Sequence, residues 1–255
     1  MTAVRYVDLT SPQLAAGFKG GQVTVILPVG SIEQHGPHLP VGMDAMMAEQ
    51  LATAAADRLG DAFLVLATLW YGYSPHHMSF PGTVTLSAKT YLRLITEIAG
   101  SLYAHGLRDL VILNGHGGNI APLRTVIAEI ARVHGRSPRV ITYWELISQE
   151  IGKIFEQPEL VCGHACALET SLALHLFPST VRREAIPAHR SGEAGPHMFG
   201  GSPVLEGLDF GRYSSNGVIG EPSLGTADIG ARLFELIVTG LVAALKSHVR
   251  PGPPN

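Results

Sequence analysis

Cysteines and charges are scarce in this sequence and long apolar runs are absent, and each of these features excludes a class of protein. Two cysteines in 255 residues are too few for a disulfide scaffold, so a reducing cytoplasm is the expected compartment. No apolar run approaches the ~20 residues that span a bilayer. The N-terminus also lacks a basic segment followed by an apolar stretch, so we expect no signal peptide and no membrane association.

Charged residues make up only 15% of the chain, and the net charge is −3 with both signs scattered. No basic patch or run of like charges indicates nucleic-acid binding. Hydrophobic residues make up 46%, which is enough for one sizeable core, and the chain shows no internal repeat and no dividing linker. The sequence therefore predicts a single domain over residues 1–255.

Histidine, by contrast, is abundant, and the first loop of the chain combines it with carboxylates. Residues 30–44 follow an apolar run that predicts a buried strand, 23–27, and precede a helical pattern over 45–59. The loop carries four potential ligands: Glu33, His35, His38 and Asp44. Ligands bind outside the carboxyl ends of strands in open α/β proteins, so the loop favours a zinc or manganese site. A structural alternative makes Asp44 the N-cap of the helix and Glu33 a solvated charge.

Strand and helix patterns alternate through the rest of the chain. Strands are predicted at 62–70, 110–113 and 139–144, and helices at 11–19, 87–105, 120–134, 165–177 and 226–246. This alternation predicts an α/β fold, a three-layer α/β/α arrangement with a mainly parallel central sheet. Between these elements we expect a flap at 145–163, an excursion over the site or into a subunit interface at 182–225, and a loose tail at 251–255.

A second loop, residues 71–83, is long and rich in glycine, proline and histidine. Long irregular loops in compact domains are usually functional or disordered, and the aromatic residues here argue against disorder. We interpret the loop as lining a substrate pocket. The alternative is a structural loop whose polar groups bond its own backbone.

Two further segments carry chemistry. In Asn114-Gly-His-Gly-Gly-Asn119 the glycines allow close approach to a ligand, and the central His116 favours a metal over a phosphate nest. In residues 162–171, His164 precedes Glu169, which lies in the first turns of a predicted helix. This carboxylate and imidazole suit the roles of metal ligand and general acid or base. The alternative makes Glu169 a partner of the helix dipole. Cys162 and Cys166 lack the spacing of a structural zinc site.

These segments resemble the creatininase (creatinine amidohydrolase) family, over roughly residues 25–241. The matching motifs are Gly-Ser-Ile-Glu-Gln-His-Gly-Pro-His-Leu-Pro at 30–40 with Asp44, Phe-Pro-Gly-Thr at 80–83, the motif at 114–119, His164 with Glu169-Thr-Ser171, and Gly-Val-Ile-Gly at 217–220. The resemblance implies an α/β/α fold, frequent assembly as a hexamer, and two divalent ions per chain. Zinc and manganese are the typical ions, and oxygen–nitrogen ligand sets also accept iron.

The resemblance also implies roles for individual residues. Glu33, His35, Asp44 and His116 match ligand positions, with Asp44 expected to bridge the two ions, and His164 matches a position for substrate binding and proton transfer. Further substrate contacts are expected from four residues in these segments and nearby: Ser74, His77, Gly117 and Trp144.

One position departs from creatininase itself, which has a further ligand glutamate two residues after the histidine of the third motif. Here that position is Gly118. The resemblance therefore implies that Glu169 supplies the carboxylate or that the second ion is weakly held. The Gly-Gly form is more similar to the broad family, which includes formamide-cleaving and peptide-trimming members.

We expect a metal-dependent amidohydrolase in which a metal-activated water attacks a cyclic amide, formamide or peptide-like carbonyl, while Glu169 or His164 protonates the leaving nitrogen. Two other interpretations remain. Ser74 with a histidine would make a serine hydrolase, although the loop lacks the second glycine of a nucleophile elbow. A protein that only binds a metal or small ligand would result if Gly118 has cost one ion.

Overall fold

Five strands and seven helices follow one another in the computed structural model, which describes residues 4–193, 207 and 209–247. In chain order they are β1 Val4–Arg5, α1 Ser11–Gly20, β2 Thr24–Val29, α2 Met43–Leu59, β3 Phe63–Val65, α3 Ala88–Ala104, β4 Asp109–Asn114, α4 Ile120–His134, β5 Arg139–Thr142, α5 Pro158–Val161, α6 Ala167–Leu176 and α7 Ala227–Lys246. No helix in this described part of the chain has both the length and the apolar composition needed to cross a membrane.

The strands form one parallel sheet in the order β1-β3-β2-β4-β5. β2 and β4 lie side by side in the middle of the sheet, and their last pair is Val29 with Asn114. The loops that follow these two strands therefore leave the same edge of the sheet next to each other. The predicted α/β fold with a parallel sheet is confirmed.

Helices cover both faces of the sheet because successive side chains of a strand point to opposite faces. In β4, Leu110 and Ile112 are buried in an apolar cluster with α3 and α4. Val111 and Leu113 are buried in a second cluster with α2, α6 and α7. These two clusters make the sheet the middle layer of three.

The predicted strand at 62–70 is regular only over Phe63–Val65, with one further bridge between Leu69 and Val29. Pro28 explains the interruption. Its carbonyl oxygen accepts a hydrogen bond from the backbone N–H of Leu69 at 2.9 Å. Proline has no N–H to donate back to the same neighbour, so the ladder loses a bond there.

The irregular segments are only partly described. The expected flap contains 3-10 turns at Tyr143–Ile147 and Ile151–Lys153 and the short helix α5. Of the excursion at 182–225, residues 194–206 and 208 lie outside the described residues, as does the tail at 251–255.

Candidate metal centre

Glu33 and His116 meet because their loops leave neighbouring strands. The backbone N–H of Gly115 donates to the carbonyl oxygen of Val29 at 2.8 Å, and the Asn119 amide donates to Gly30 at 3.0 Å. These bonds tie the two loops together beyond the sheet edge. Glu33 Oε2 consequently lies 3.1 Å from His116 Nδ1, and both side chains are buried.

Asp44 enters the same space from the first turn of α2. Helix α2 begins at Met43 with Gly42 as its N-cap, so the expectation that Asp44 could be the cap is wrong. Its carboxylate lies instead between two imidazoles, with Oδ1 3.2 Å from His35 Nε2 and Oδ2 3.1 Å from His116 Nδ1. A Cβ at Gly115 would lie 2.5 Å from the Asp44 carbonyl oxygen, so only glycine allows this approach.

Backbone carbonyls fix which nitrogen of His35 and His116 carries a proton. His35 Nδ1 donates to the carbonyl oxygen of Glu33 at 3.1 Å, and His116 Nε2 donates to that of Tyr73 at 3.1 Å. A carbonyl oxygen can only accept, so each ring keeps its other nitrogen for the carboxylates. Metal-binding histidines in proteins are oriented in this way by an outer hydrogen bond.

Glu169 adds a third carboxylate from the first turn of α6, where a helix-dipole interaction is also available. Its Oε1 lies 3.9 Å from His35 Nε2. Burial, together with the nearby Cys166 thiol, raises the pKa of Glu169 to about 8, although His35 opposes the shift. We call Glu33, His35, Asp44, His116 and Glu169 the carboxylate half of the site.

Neighbouring charges dominate the histidines of the carboxylate half. Burial lowers the pKa of His35, but Asp44, Glu169 and Glu33 together outweigh burial and raise the pKa to about 10. The pKa of His116 is also raised well above its usual range, because Glu33 and Asp44 outweigh burial. Burial raises the pKa of Asp44, yet His35 and His116 together hold it below its usual range. The carboxylate half of the site therefore favours positive charge between its carboxylates.

The donor atoms fit a divalent cation. Three buried donor atoms of the carboxylate half have no hydrogen-bond partner among the described residues: His35 Nε2, Asp44 Oδ2 and Glu169 Oε2. Four groups of three side chains place their ligand atoms within 4.8 Å of one another, and these are Glu33–His35–Asp44, His35–His164–Glu169, Glu33–His76–His116 and Glu33–His77–His164. Mixed carboxylate and imidazole donors suit zinc, manganese and iron.

The loop at 71–83 brings further histidines to the other side of Glu33. Gln34 Oε1 accepts from the backbone N–H of Gly36 at 2.9 Å, so its amide nitrogen faces His77 Nδ1 at 2.9 Å and donates to it. The remaining proton of His77 is then on Nε2, 3.3 Å from Glu33 Oε1. His164 Nε2 donates to the Gln34 carbonyl at 2.8 Å, which leaves His164 Nδ1 3.7 Å from Glu33 Oε1.

Phe210 covers these rings from the described part of the excursion. Its ring centroid lies 4.0 Å from that of His77 and 5.1 Å from that of His164. Burial lowers the pKa of His77 and His164 well below the usual range, and it lowers the pKa of His76 to about 3. We call His76, His77, His164 and Phe210 the ring half of the site.

Ser74 lies beneath Glu33 and is fully buried. Its hydroxyl donates to Glu33 Oε2 at 2.6 Å and lies 2.9 Å from His116 Nε2 and 2.5 Å from Ser31 Oγ. Because the hydroxyl hydrogen is directed to a carboxylate, Ser74 supports a ligand of the candidate centre. Its role as a substrate contact stays a prediction.

Gly117 and Trp144 are two further expected substrate contacts. Gly117 is exposed and opens the 3-10 turn Gly117–Asn119 directly after His116. Trp144 is half-buried and packs edge-on against Tyr143 at 4.9 Å between ring centroids. The role of both residues as substrate contacts stays a prediction.

His38 belongs to the protein interior next to the site. Its Nε2 lies 2.8 Å from the Thr170 hydroxyl on α6, and burial lowers its pKa to about 4. The sequence interpretation overlooked Gln34, His76 and Phe210. The tandem His76-His77 in an irregular loop is a signal that could have identified His76, whereas nothing in the sequence distinguishes Phe210.

Several known proteins are similar to this chain in sequence and in fold. The family model described as Creatininase: Creatinine amidohydrolase matches residues 7–245. A mycofactocin precursor peptide peptidase of Mycobacterium ulcerans is 32% identical over 237 residues, 90% of this chain and 87% of its own. A creatinine amidohydrolase of Pseudomonas putida is 28% identical over 262 residues, 96% of each chain.

A solved mutant creatininase of the Zn–Zn type superposes with a TM-score of 0.85 at 26% identity, covering 98% of this chain and 100% of that one. The match of the family model extends over nearly the whole chain. The peptidase relative independently exceeds 30% identity over most of both chains. This chain therefore belongs to the creatininase family of amidohydrolases, which are hydrolases of carbon–nitrogen bonds.

Proposed function

We propose that this protein is a two-metal amidohydrolase that hydrolyses a cyclic amide, a formamide or a peptide-like bond. The observation that carries the proposal is the position of Asp44. Its two carboxylate oxygens face different imidazoles, His35 and His116, and Oδ2 has no hydrogen-bond partner in the described residues. A carboxylate in this position can serve two cations at once.

We assign the ligands to two ions that share Asp44. Glu33 and His116 are assigned to one ion because Glu33 Oε2 lies 3.1 Å from His116 Nδ1, and His35 and Glu169 to the other because His35 Nε2 lies 3.9 Å from Glu169 Oε1. Gly118 has no side chain to offer as a ligand, but Glu169 contributes a carboxylate. Each of the two proposed ions therefore still has oxygen donors. We propose zinc or manganese as the ions, since both accept mixed oxygen and nitrogen ligands.

When bound, two divalent ions lower the pKa of a water molecule toward neutrality and polarise an amide carbonyl. The chain moves the proton. Without a bound ion, burial raises the pKa of Glu169 to about 8, whereas a cation on its carboxylate would keep it ionised. An ionised Glu169 would take up a proton from the attacking water and pass it to the leaving nitrogen. His164 has its Nε2 proton fixed on the Gln34 carbonyl, so its Nδ1 is a hydrogen-bond acceptor that can orient substrate.

A peptide-trimming activity is the second candidate, and the mycofactocin precursor peptide peptidase relative favours it. We further propose a cytoplasmic homo-oligomer, a hexamer by family resemblance. Both cysteines are free, as in a reducing compartment. Apolar side chains are exposed together near the loop at 71–83, among them Val41, Trp70 and Tyr71.

The test combines metal content with chelation. Protein purified without chelator is measured by elemental mass spectrometry, with light scattering on the same sample to count chains. We expect about two zinc or manganese ions per chain. Hydrolysis of a panel of cyclic amides, formamides and short peptides is then expected to stop with a chelator and to return with added zinc or manganese.

Activity that survives complete removal of the ions would overturn the proposal and return Ser74 to consideration as a nucleophile. Bound ions without hydrolysis of any member of the panel would instead favour a binding protein. Light scattering that shows a single chain would contradict the oligomer.

A further inference from the structure

His76 stands out because it belongs to one of the four possible ligand groups, yet neither the sequence analysis nor the two-metal assignment gives it a role. It follows Pro75 in the 3-10 turn Pro75–His77 and is half-buried. Its ligand atom lies within 4.8 Å of those of Glu33 and His116. These are the two side chains that we assign to one ion together with Asp44.

The His76 ring is held in place by its neighbours and not by polar contacts. Its ring plane lies within 9° of that of His116, and the two centroids are 5.6 Å apart. It also packs against His77 at 4.4 Å and Phe210 at 5.5 Å. Within the described residues, no hydrogen bond to either of its ring nitrogens is found. An imidazole packed this way offers a free nitrogen lone pair.

Gly118 shows what His76 does to the space beside His116. A Cβ at 118 would lie 2.2 Å from the Tyr73 carbonyl oxygen, 2.4 Å from His116 Nε2 and 2.6 Å from His76 Cε1. These distances are far below ordinary contact, so no side chain can start from 118 in this backbone conformation. The space into which a side chain from 118 would extend is filled by His76.

We propose that His76 is a further ligand of the ion held by Glu33 and His116. This assignment rests on the proposed two-metal function. It gives the ion two imidazoles and the carboxylates of Glu33 and Asp44. The ion on the other side keeps His35, Asp44 and Glu169. Replacing His76 should therefore weaken one of two ions and leave the other in place.

Three variants separate ligation from packing. His76→Phe keeps a ring of similar size against His116 and Phe210 but removes the nitrogen donor. His76→Glu keeps a donor atom and changes its type. His105→Ala removes an exposed histidine at the end of α3 and serves as the control. Circular dichroism and thermal unfolding of the metal-free variants check that each one folds.

Zinc binding is measured on chelator-stripped protein by isothermal titration, and X-ray absorption of the zinc-loaded protein counts imidazole ligands. We expect two zinc ions per chain for the unmodified protein and for His105→Ala. For His76→Phe we expect one ion to bind at least about tenfold more weakly, since loss of a ligand should cost no less than loss of an outer-shell partner. The imidazole count should fall, and His76→Glu should regain the affinity.

If the unmodified protein takes up two ions and the His76→Phe variant shows the same affinities and imidazole count, the assignment of His76 is overturned and the proposed function stays intact. Unmodified protein that binds no zinc or manganese would overturn both. A folded His76→Phe variant that loses both ions equally would also contradict a one-sided ligand.

Discussion

In the carboxylate half of the site, His35 and His116 each face two carboxylates. In the ring half, His77 and His164 share one oxygen of Glu33 and pack against each other and Phe210. All four rings are buried, so burial lowers the pKa of each of them. Only the carboxylates overcome that effect. Histidine therefore favours the positively charged form in the carboxylate half and the neutral form in the ring half.

The two halves also differ in what positions them. The carboxylate half is built on the ends of β2 and β4 and on the first turns of α2 and α6. The ring half comes from the loop at 71–83, from His164 before α6 and from Phe210. The Gln34 amide nitrogen donates both to His77 and to the carbonyl oxygen of Gly217 and so connects these segments. Regular elements hold ligands precisely, and loops carry the variable contacts.

Replacing Asp44 should have the largest effect, because it removes the group that both sides of the carboxylate half share. For Asp44→Ala we expect both ions to bind at least about 100-fold more weakly and hydrolysis to fall to background. Asp61→Ala, an exposed change just past the end of α2, is the control. Zinc titration and amide hydrolysis measure the two effects, and full activity in Asp44→Ala would remove Asp44 from the site.

Glu169→Gln should separate binding from proton transfer within the same half. The amide keeps the shape but cannot take up and deliver a proton, so we expect turnover to fall by about 10²–10⁴-fold. Glu33, Asp44 and His116 are untouched, so at least one ion should remain. Turnover is compared with that of Glu145→Gln, an exposed change, and unchanged turnover in Glu169→Gln would rule out the proton-donor role.

Phe210→Ala should have the smallest effect and should be confined to the ring half. Contacts between aromatic rings contribute about 0.5–1.5 kcal/mol, so we expect kcat/KM to fall by roughly tenfold or less. Zinc content should be unchanged, because the ring contacts of Phe210 are to His76, His77 and His164 and the substitution removes no ligand atom. Phe210→Leu is the milder companion. Loss of an ion in Phe210→Ala would show that ring packing is needed to hold a ligand in place.

The carboxylate half was largely predictable from the sequence. The apolar runs at 23–27 and 110–113 identify neighbouring strands of a parallel sheet, and such strands end at one edge. Glu33, His35 and His116 follow those runs directly. Asp44 was more ambiguous, because an aspartate at the start of a helix is a common N-cap, and only the placement of Gly42 as the cap resolves it.

The ring half could not be predicted in the same way. His77 is held by the Gln34 amide, and Phe210 reaches it from more than a hundred residues further along the chain. No local periodicity encodes contacts of that kind. The extent of β3 was missed for a related reason, since the effect of Pro28 depends on which strand its carbonyl oxygen faces.

The pairing of Val29 with Asn114 means that substitutions affecting the metal ligands and substitutions affecting substrate choice fall in different parts of the chain. A backbone ladder sets the distance between the loops of Glu33 and His116, and that ladder is indifferent to the side chains of residues 71–83 and 209–220. Apart from Ser74, which donates to Glu33, and His76, substitutions in those segments can alter which molecule is accepted without moving the carboxylates. The reactive centre is inherited with the sheet, whereas selectivity is free to diverge among descendants of the same fold.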